Sequence, residues 1–220
     1  MTRTVDLTQP WFAGMPTLDG DPQYGCSAAA TLSEAGYRVS KLSASTHTGT
    51  HVDAPAHIFE SGRTVDAFPV DWLCGRARVI SVRAEEGQKI TATMVQDQLV
   101  DYLNTPEPEP IVLFSTGWSQ YFLNQHDRYA QHPYLSARLI EMLVASGIKV
   151  LGVDTFSPDA ADSSELPVHK AALGADVAII ENLANLDALP EHVFFEAYPL
   201  PIRDGEAAPI RAVAKISDDI

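Results

Sequence analysis

The sequence predicts an α/β fold with a mixed β-sheet and flanking helices. Four apolar runs rich in β-branched residues are typical of buried strands: 76–82, 111–116, 149–154 and 176–182. Apolar residues recur at helical spacing in 91–104 and 136–147, so both segments are expected to be helices. The C-terminal part adds two strands, 192–200 and 209–215, without a helix between them. Because strands and helices do not alternate strictly, the sheet should be mixed rather than entirely parallel.

The remaining elements follow from local signals along the chain. Residues 4–8 are expected to form a first strand, whereas 14–25 are rich in Gly, Pro and Asp, as in an irregular turn region. Segment 37–46 alternates apolar and polar residues and should be a strand that leads into the histidine-rich stretch described below. In the second predicted helix, Ser136 is suited to cap the N-terminus and Gly147 to end the helix.

Length and composition indicate one domain spanning residues 1–220, with 45% hydrophobic residues available for a core. Fifteen Lys and Arg against 29 Asp and Glu give a formal net charge of −14, so nucleic acids and anionic membranes are not expected partners. The sequence contains no apolar run of about 20 residues and no secretory signal at its start, which predicts a cytoplasmic protein. Cys26 and Cys74 form no CxxC pair and are expected to be reduced, buried and structural.

Three of the seven histidines fall within one eleven-residue stretch, HTGTHVDAPAH, from His47 to His57. In a straight strand His47 and His51 would lie about 13 Å apart, too far for their nitrogens to bind one ion. The chain must therefore form a helical turn or bend at Gly49, and the β-branched residues beside Gly49 favour the bend. Pro55 then prevents further strand pairing. The stretch is expected to be a glycine-bent strand end that presents its side chains into a cavity.

His47, His51 and Asp53 together offer two imidazole nitrogens and one carboxylate oxygen. Structural zinc sites fill all four coordination positions with protein ligands, whereas catalytic sites leave one position for water or substrate. A three-ligand set of this kind therefore indicates a catalytic metal site.

The same stretch resembles the His-x-Gly-Thr-His-x-Asp-x-Pro-x-His signature of the metal-dependent cyclase-like hydrolases, which include bacterial kynurenine formamidase and isatin hydrolase. Shorter pieces extend the resemblance along most of the chain: MP…DGDP in the early turn region, STGW (115–118), GVDTFSPD (152–159) and PLPI…GEAAPIRAVA near the C-terminus. The resemblance implies a swivelling β/β/α-like fold, a small-molecule substrate and assembly into a homodimer or homotetramer.

The resemblance also implies a set of metal ligands. His47 and His51 resemble ligands of a first ion, and Asp53 resembles a carboxylate that bridges to a second. His169 and Glu181 resemble the distant ligands of the family. The implied cofactor is Zn²⁺ or Mn²⁺, with two ions per subunit.

These assignments imply hydrolysis of a small aryl-formamide or cyclic amide. With Asp53 and Glu181 as the only anionic ligands, two divalent ions would keep about two positive charges, which favours a metal-held hydroxide as the nucleophile. His57 resembles the proton donor and acceptor of the family and would serve as general acid and base. No Gly-x-Ser-x-Gly elbow offers a competing nucleophile. At the position where kynurenine formamidases carry a substrate-packing tryptophan, this chain has Leu18, which keeps an apolar wall without an aromatic face.

Two other functions are compatible with parts of the pattern. His51, Asp53 and His169 have the composition of the 2-His-1-carboxylate site of a non-haem Fe(II) oxygenase, although His47 would then be redundant. A non-catalytic metal-binding or ligand-binding protein is the second alternative, and it would leave His57 without a role.

Three further polar features receive simpler interpretations. The acidic stretch 157–165 lacks the spacing of a calcium loop and is interpreted as a solvated loop. His126 and His132 lie in a polar connection and are given no chemical role. Asp154 ends an apolar strand, and its local sequence leaves open whether it faces the site.

Overall fold

Strands dominate the computed structural model, which describes residues 2–217. The strands in that range are β1 (Thr2–Asp6), β2 (Gly25–Ala30), β3 (Val39–Ser43), β4 (His51–Asp53), β5 (Cys74–Ser81), β6 (Lys89–Ile90), β7 (Ile111–Ser115), β8 (Tyr134–Leu135), β9 (Val150–Val153), β10 (Ala178–Glu181), β11 (His192–Pro199) and β12 (Ala207–Ser217). The helices are α1 (Leu32–Ala35), α2 (Gln96–Asn104), α3 (His126–Ala130), α4 (Ala137–Ala145) and α5 (Pro167–Leu173). Among residues 2–217, none of the helices combines the length and the apolar character that a membrane crossing needs.

The main sheet closes on itself. Its eight strands follow the order β1-β12-β11-β5-β7-β9-β10-β4, and β4 pairs again with the beginning of β12. β5, β7, β9 and β10 run parallel to one another, whereas the pairs that involve β1, β4, β11 and β12 are antiparallel. The expectation of a mixed sheet is confirmed. Closure into a barrel-like ring depends on the long β12, which contacts three other strands, and local sequence signals do not predict it.

Two apolar layers lie on opposite faces of this ring. The interior is filled by small and branched side chains such as Val52, Leu113 and Ile180. Val112 and Phe114 belong instead to the outer layer, where the parallel strands are covered by α2, α4 and α5. Successive residues of β7 thus alternate between the two layers, as the two-residue period of a strand requires.

Most predicted elements are present with small shifts of their ends. The six strands predicted from 76–82 onwards are observed as β5, β7, β9, β10, β11 and β12, and the two predicted helices as α2 and α4. Ser136 accepts a hydrogen bond from the backbone N–H of Leu139 at 3.4 Å, and Gly147 has a φ of 90° just beyond the helix. The predicted cap and stop are therefore confirmed.

The segment between the first strand and the histidine-rich stretch differs most from expectation. The strand predicted at 37–46 is confined to β3, which pairs with β2 in a separate two-stranded hairpin. No residue from 17 to 46 is buried. The strand is shorter than predicted and ends at Ser43, four residues before His47, and the turn at 46–50 separates it from β4.

Two expectations about burial are also corrected. Cys26 is exposed and Cys74 is partly exposed, so neither is a buried core residue, although both are free thiols. His132, placed by the sequence in a polar connection, is buried and lies next to the ring of Phe156. Residue type therefore does not decide exposure at these positions.

Candidate metal centre

β4 and β10 carry several of the predicted site residues on the outer face of the ring. Val52 points into the interior, so His51 and Asp53 on either side of it point outward. The strand register pairs Glu181 directly with His51 and brings Glu181 Oε2 within 3.3 Å of His51 Nε2. Strand pairing between distant parts of the chain therefore supplies the second carboxylate.

Gly49 bends the chain so that His47 folds back over β4. Its φ of 63° lies in the left-handed region that favours glycine, as the sequence predicts. His47 Nδ1 lies 2.9 Å from Asp53 Oδ1 and 3.2 Å from His51 Nε2. His51 is held by its other nitrogen, since Nδ1 donates to the carbonyl of Gly49 at 2.8 Å. The bend thus directs two imidazole nitrogens to one carboxylate.

His169 reaches the same carboxylates from α5. Its Nε2 lies 3.3 Å from Glu181 Oε1 and 3.6 Å from Asp53 Oδ2. The buried Asp159 accepts two backbone N–H groups of the first turn of α5, at 2.8 and 3.0 Å, and lies 2.7 Å from His169 Nδ1. Because both Asp159 oxygens already accept hydrogen bonds, Nδ1 is the donor, and Nε2 faces the shared carboxylates. The interpretation of 157–165 as a solvated loop is therefore wrong at Asp159.

The converging side chains form two halves: the loop half, His47 and His51, and the helix half, His169 and Asp159. Asp53 and Glu181 serve both halves, because each turns one oxygen to His51 and the other to His169. Both Asp53 oxygens are buried, and neither accepts a well-aligned hydrogen bond from the described residues. A buried carboxylate surrounded by imidazole nitrogens fits a divalent cation, because its charge is costly to bury without a cationic partner and the nitrogens become ligands once they lose their protons.

The ionisation of these groups shows how strongly the site attracts positive charge. Burial lowers the pKa of His51, but Asp53 and Glu181 outweigh it and raise that pKa to about 10. Burial also opposes charge on His169, yet Asp159 and the shared carboxylates raise its pKa well above the usual value. Burial raises the pKa of Asp53, but the neighbouring imidazoles hold it well below its usual range. Protons and a metal cation therefore compete for the same nitrogens.

His57 lies beside the centre, at the end of a 3-10 turn formed by Pro55–His57. Its ring centroid is 4.4 Å from that of His47 and 5.7 Å from that of His169. Burial lowers the pKa of His57, which leaves the ring neutral near pH 7 and able to accept a proton. One of its nitrogens also lies within 4.8 Å of the ligand atoms of His47 and Asp53. Geometry alone therefore allows His57 to be either a proton carrier or a further ligand.

Two other residues singled out in the sequence lie outside the centre. Leu18 is 57% exposed, in a turn where Asp21 accepts a hydrogen bond from Ser45 at 3.1 Å, just before the loop half. Asp154 accepts hydrogen bonds from Thr116 and Gly117, so it faces the turn after β7 rather than the centre. Burial raises the pKa of Asp154 to about 6 despite these bonds.

Sequence reasoning missed two carboxylates near the clustered histidines. The one sequence signal of Asp159 is its place at the end of the GVDTFSPD piece of the family resemblance, and only the folded loop returns it to the first turn of α5. Glu206 lies 3.9 Å from His47 Nε2, and its one sequence signal is its place in the GEAAPI piece of the family resemblance. The positions of both residues depend on the folding of the chain and not on spacing along the sequence.

Comparison with known proteins identifies the family. The protein family described as "Putative cyclase" matches residues 5–160, a range that includes the whole stretch from His47 to His57 and also Asp159. The chain belongs to this cyclase family. His169 and Glu181 lie beyond the matched range, so full-length relatives are needed to support them.

Relatives of this chain match nearly its whole length. A kynurenine formamidase from Salinibacter ruber is 32% identical over 202 residues, which are 91% of each chain. A kynurenine formamidase from Erythrobacter litoralis is 31% identical over 218 residues, covering 97% of this chain and 94% of that protein. The structure of isatin hydrolase A from Ralstonia solanacearum matches with a TM-score of 0.86 at 28% identity, covering 98% of this chain and 92% of that one. The helix half therefore lies in a region that the relatives share.

Proposed function

We propose that the protein is a metal-dependent amidohydrolase that cleaves the C–N bond of a small aryl-formamide or cyclic amide. The observation that carries this proposal is the convergence of the loop half and the helix half on two shared carboxylates, with His57 beside them. The names of the relatives refer to a formamidase and to an isatin hydrolase, that is, to one open-chain and one cyclic amide. An amide carbonyl attached to an aryl nitrogen is common to both.

The proposed cofactor is a pair of divalent ions, Zn²⁺ or Mn²⁺. His47 and His51 would hold one ion and His169 the other, while Asp53 and Glu181 each offer one oxygen to each half. Mixed nitrogen and oxygen ligands do not distinguish sharply between these two metals. When bound, such ions lower the pKa of a coordinated water and polarise an amide carbonyl.

His57 is proposed to carry the proton rather than to bind an ion. A neutral imidazole can take the proton of the attacking water and pass it to the departing nitrogen. Pro55 opens the short turn after β4, so His57 leaves the strand that holds His51 and Asp53 while its ring stays beside His47. The ring is thereby close to the reaction but on a different segment from the ligands.

Leu18 is proposed to contact the aryl part of the substrate. We expect the reaction to take place in the cytoplasm. The loss of the aromatic face at this position should tilt the enzyme away from N-formylkynurenine and towards lactams. The ratio of kcat/KM for isatin and N-formylkynurenine measures the tilt, and Leu18→Trp should shift the ratio towards N-formylkynurenine. If the wild type cleaves N-formylkynurenine far better than every lactam, the proposed tilt is wrong.

The non-haem iron alternative is not favoured. His47 lies as close to Asp53 as any other imidazole, so a site of only His51, Asp53 and His169 would leave a converging nitrogen without a role. The relatives compared above are named as hydrolases. A non-catalytic binding protein is likewise not favoured, because it gives no role to a neutral His57 beside the centre.

We also propose that the protein forms a homodimer or homotetramer through the hairpin of β2 and β3. An isolated two-stranded hairpin is marginally stable in water, and this one exposes Val39 and Leu42. Its segment 25–43 carries Arg38 and Lys41 against Glu34, whereas the whole chain has a net charge of −14. Light scattering should give a dimer or tetramer for the wild type and a smaller species for Leu42→Asp; a wild-type monomer would contradict the proposal.

The decisive experiment separates His57 from the ligands. His57→Ala should keep the metal content of the wild type while kcat falls by a factor of roughly 10²–10⁴. His51→Ala should lose metal and activity together. Metal analysis and turnover of both variants decide the matter: a metal-free His57→Ala protein would make His57 a ligand, and a metal-free wild type would remove the proposed function altogether.

A further inference from the structure

Glu206 lies next to the loop half although it is far away in sequence. The closure of the ring places it there, because β12 pairs Ala207 with Asp53 and the backbone N–H of Ala54 donates to the carbonyl of Glu206 at 2.9 Å. The position of its backbone is therefore set by the same strand that carries His51 and Asp53.

The side chain of Glu206 is tethered although it is 44% exposed. Its Oε1 accepts a hydrogen bond of 2.6 Å from the hydroxyl of Thr46, the residue before His47. The same oxygen lies 3.9 Å from His47 Nε2. One carboxylate oxygen thus contacts the start of the ligand loop and faces the outer nitrogen of its first histidine.

Each of the three proposed ligand histidines turns one ring nitrogen towards the carboxylates and the other away from them. His51 presents Nε2 to the carboxylates and donates Nδ1–H to the Gly49 carbonyl, and His169 presents Nε2 while Nδ1 meets Asp159. His47 presents Nδ1 to Asp53, so its Nε2 is the nitrogen left for an outer partner. An outer carboxylate orients a metal-binding imidazole, fixes its tautomer and makes the inner nitrogen more basic.

From these contacts we infer that Glu206 is a positioning residue of the metal centre, which acts through Nε2 of His47 and is itself held by Thr46. This role rests on the proposed metal centre but not on any substrate. The loop half is then oriented by an exposed carboxylate, whereas the helix half is oriented by the buried Asp159.

Metal affinity of the complete protein tests this role. Glu206→Gln keeps an oxygen for Thr46 but removes the charge. It should lower the affinity for one of the two ions by about tenfold, as loss of an outer partner usually does, and leave the affinity for the other unchanged. Competition with a chromophoric chelator for Zn²⁺ measures both ions, and the visible spectrum of the Co²⁺-loaded protein should change with the coordination at His47. Thr46→Val should act in the same direction with a smaller effect, because the carboxylate stays but loses its tether.

Glu165→Gln is the matched control, since Glu165 is an exposed carboxylate that pairs with Lys170 at 3.5 Å. It should leave the titration, the Co²⁺ spectrum and the melting temperature of the metal-free protein unchanged, and Glu206→Gln should also leave that melting temperature unchanged. If the Glu206→Gln titration and spectrum overlay those of the wild type, or both ions weaken equally, the inference is overturned. Complete loss of one ion would make Glu206 a ligand and would also overturn it. A wild type that binds no metal would overturn the proposed function, and this inference with it.

Discussion

The loop half and the helix half of the centre perform the same task with different supports. In the loop half, His47 and His51 are four residues apart, the left-handed bend at Gly49 brings them together, and the Gly49 carbonyl holds the ring of His51. In the helix half, a single histidine is held by a buried carboxylate, Asp159, that also binds the first turn of α5. A histidine positioned by a backbone bend can be recognised in the sequence from a glycine at a fixed spacing. A histidine positioned by a side chain from another loop cannot be recognised in this way.

The shared carboxylates offer the strongest test of this division. Asp53→Asn keeps the shape of the side chain but removes a charge that both halves use, so both ions should be lost on desalting. His169→Ala removes only the inner nitrogen of the helix half and should leave about one ion per chain. Metal analysis of the two purified variants measures the difference. If Asp53→Asn keeps one tightly bound ion, the halves do not depend on a common carboxylate.

Removal of the outer carboxylate of the helix half should have the next largest effect. Asp159→Asn is expected to lower the affinity for one ion about 10–100-fold, because His169 loses the partner that fixes its Nδ1–H. Asp162→Asn, an exposed residue of the same loop, is the matched control and should bind metal like the wild type. Equal affinities in a chelator competition for both variants would show that Asp159 serves only the helix terminus.

Metal binding should depend on pH in a direction that the ionisation of the imidazoles sets. The pKa of His51 is raised to about 10, so the metal-free protein carries a proton there at pH 7 and an incoming cation must displace it. Affinity should rise as the pH increases from 7 towards 10, by about tenfold per pH unit for each displaced proton. Calorimetry in buffers of different ionisation enthalpy counts the protons released. No release at pH 7 would contradict the charged state of the metal-free centre.

The bend itself should give the smallest and most local effect. Gly49→Ala places a Cβ 2.7 Å from Trp11 Nε1 at a φ of 63°, and it should cost about 1–3 kcal/mol in the free energy of unfolding and also weaken the loop-half ion. Gly147→Ala is the matched control, because its φ of 90° carries the backbone strain with no neighbour within 4 Å. Denaturant unfolding and metal titration of both variants separate strain from contact. Equal losses of stability, with unchanged metal affinity, would mean that the packing of the bend does not matter.

The same contrast between local and remote support explains which parts of the fold could be predicted. The strands β5, β7, β9 and β10 lie between two apolar layers, so their buried β-branched runs identify them without further context. The hairpin of β2 and β3 has no buried residue, and its pattern therefore does not show that it leaves the main sheet. Closure of the ring depends on β12 reaching β4, a contact between residues more than 150 positions apart.

The sequence by itself predicted the clustering of His47, His51 and Asp53 and the need for a bend at Gly49, because these depend on spacing within one eleven-residue stretch. Only the family resemblance selected His169 and Glu181, since a histidine in a helix and a glutamate at a strand end have no distinctive local pattern. Only the tertiary structure placed Asp159 beside His169 and Glu206 beside His47. The physical reason is that the atoms of a metal site must be placed within a few ångströms of one another. Spacing along the chain sets such distances over a few residues, whereas strand register and loop packing set them between distant parts of the chain.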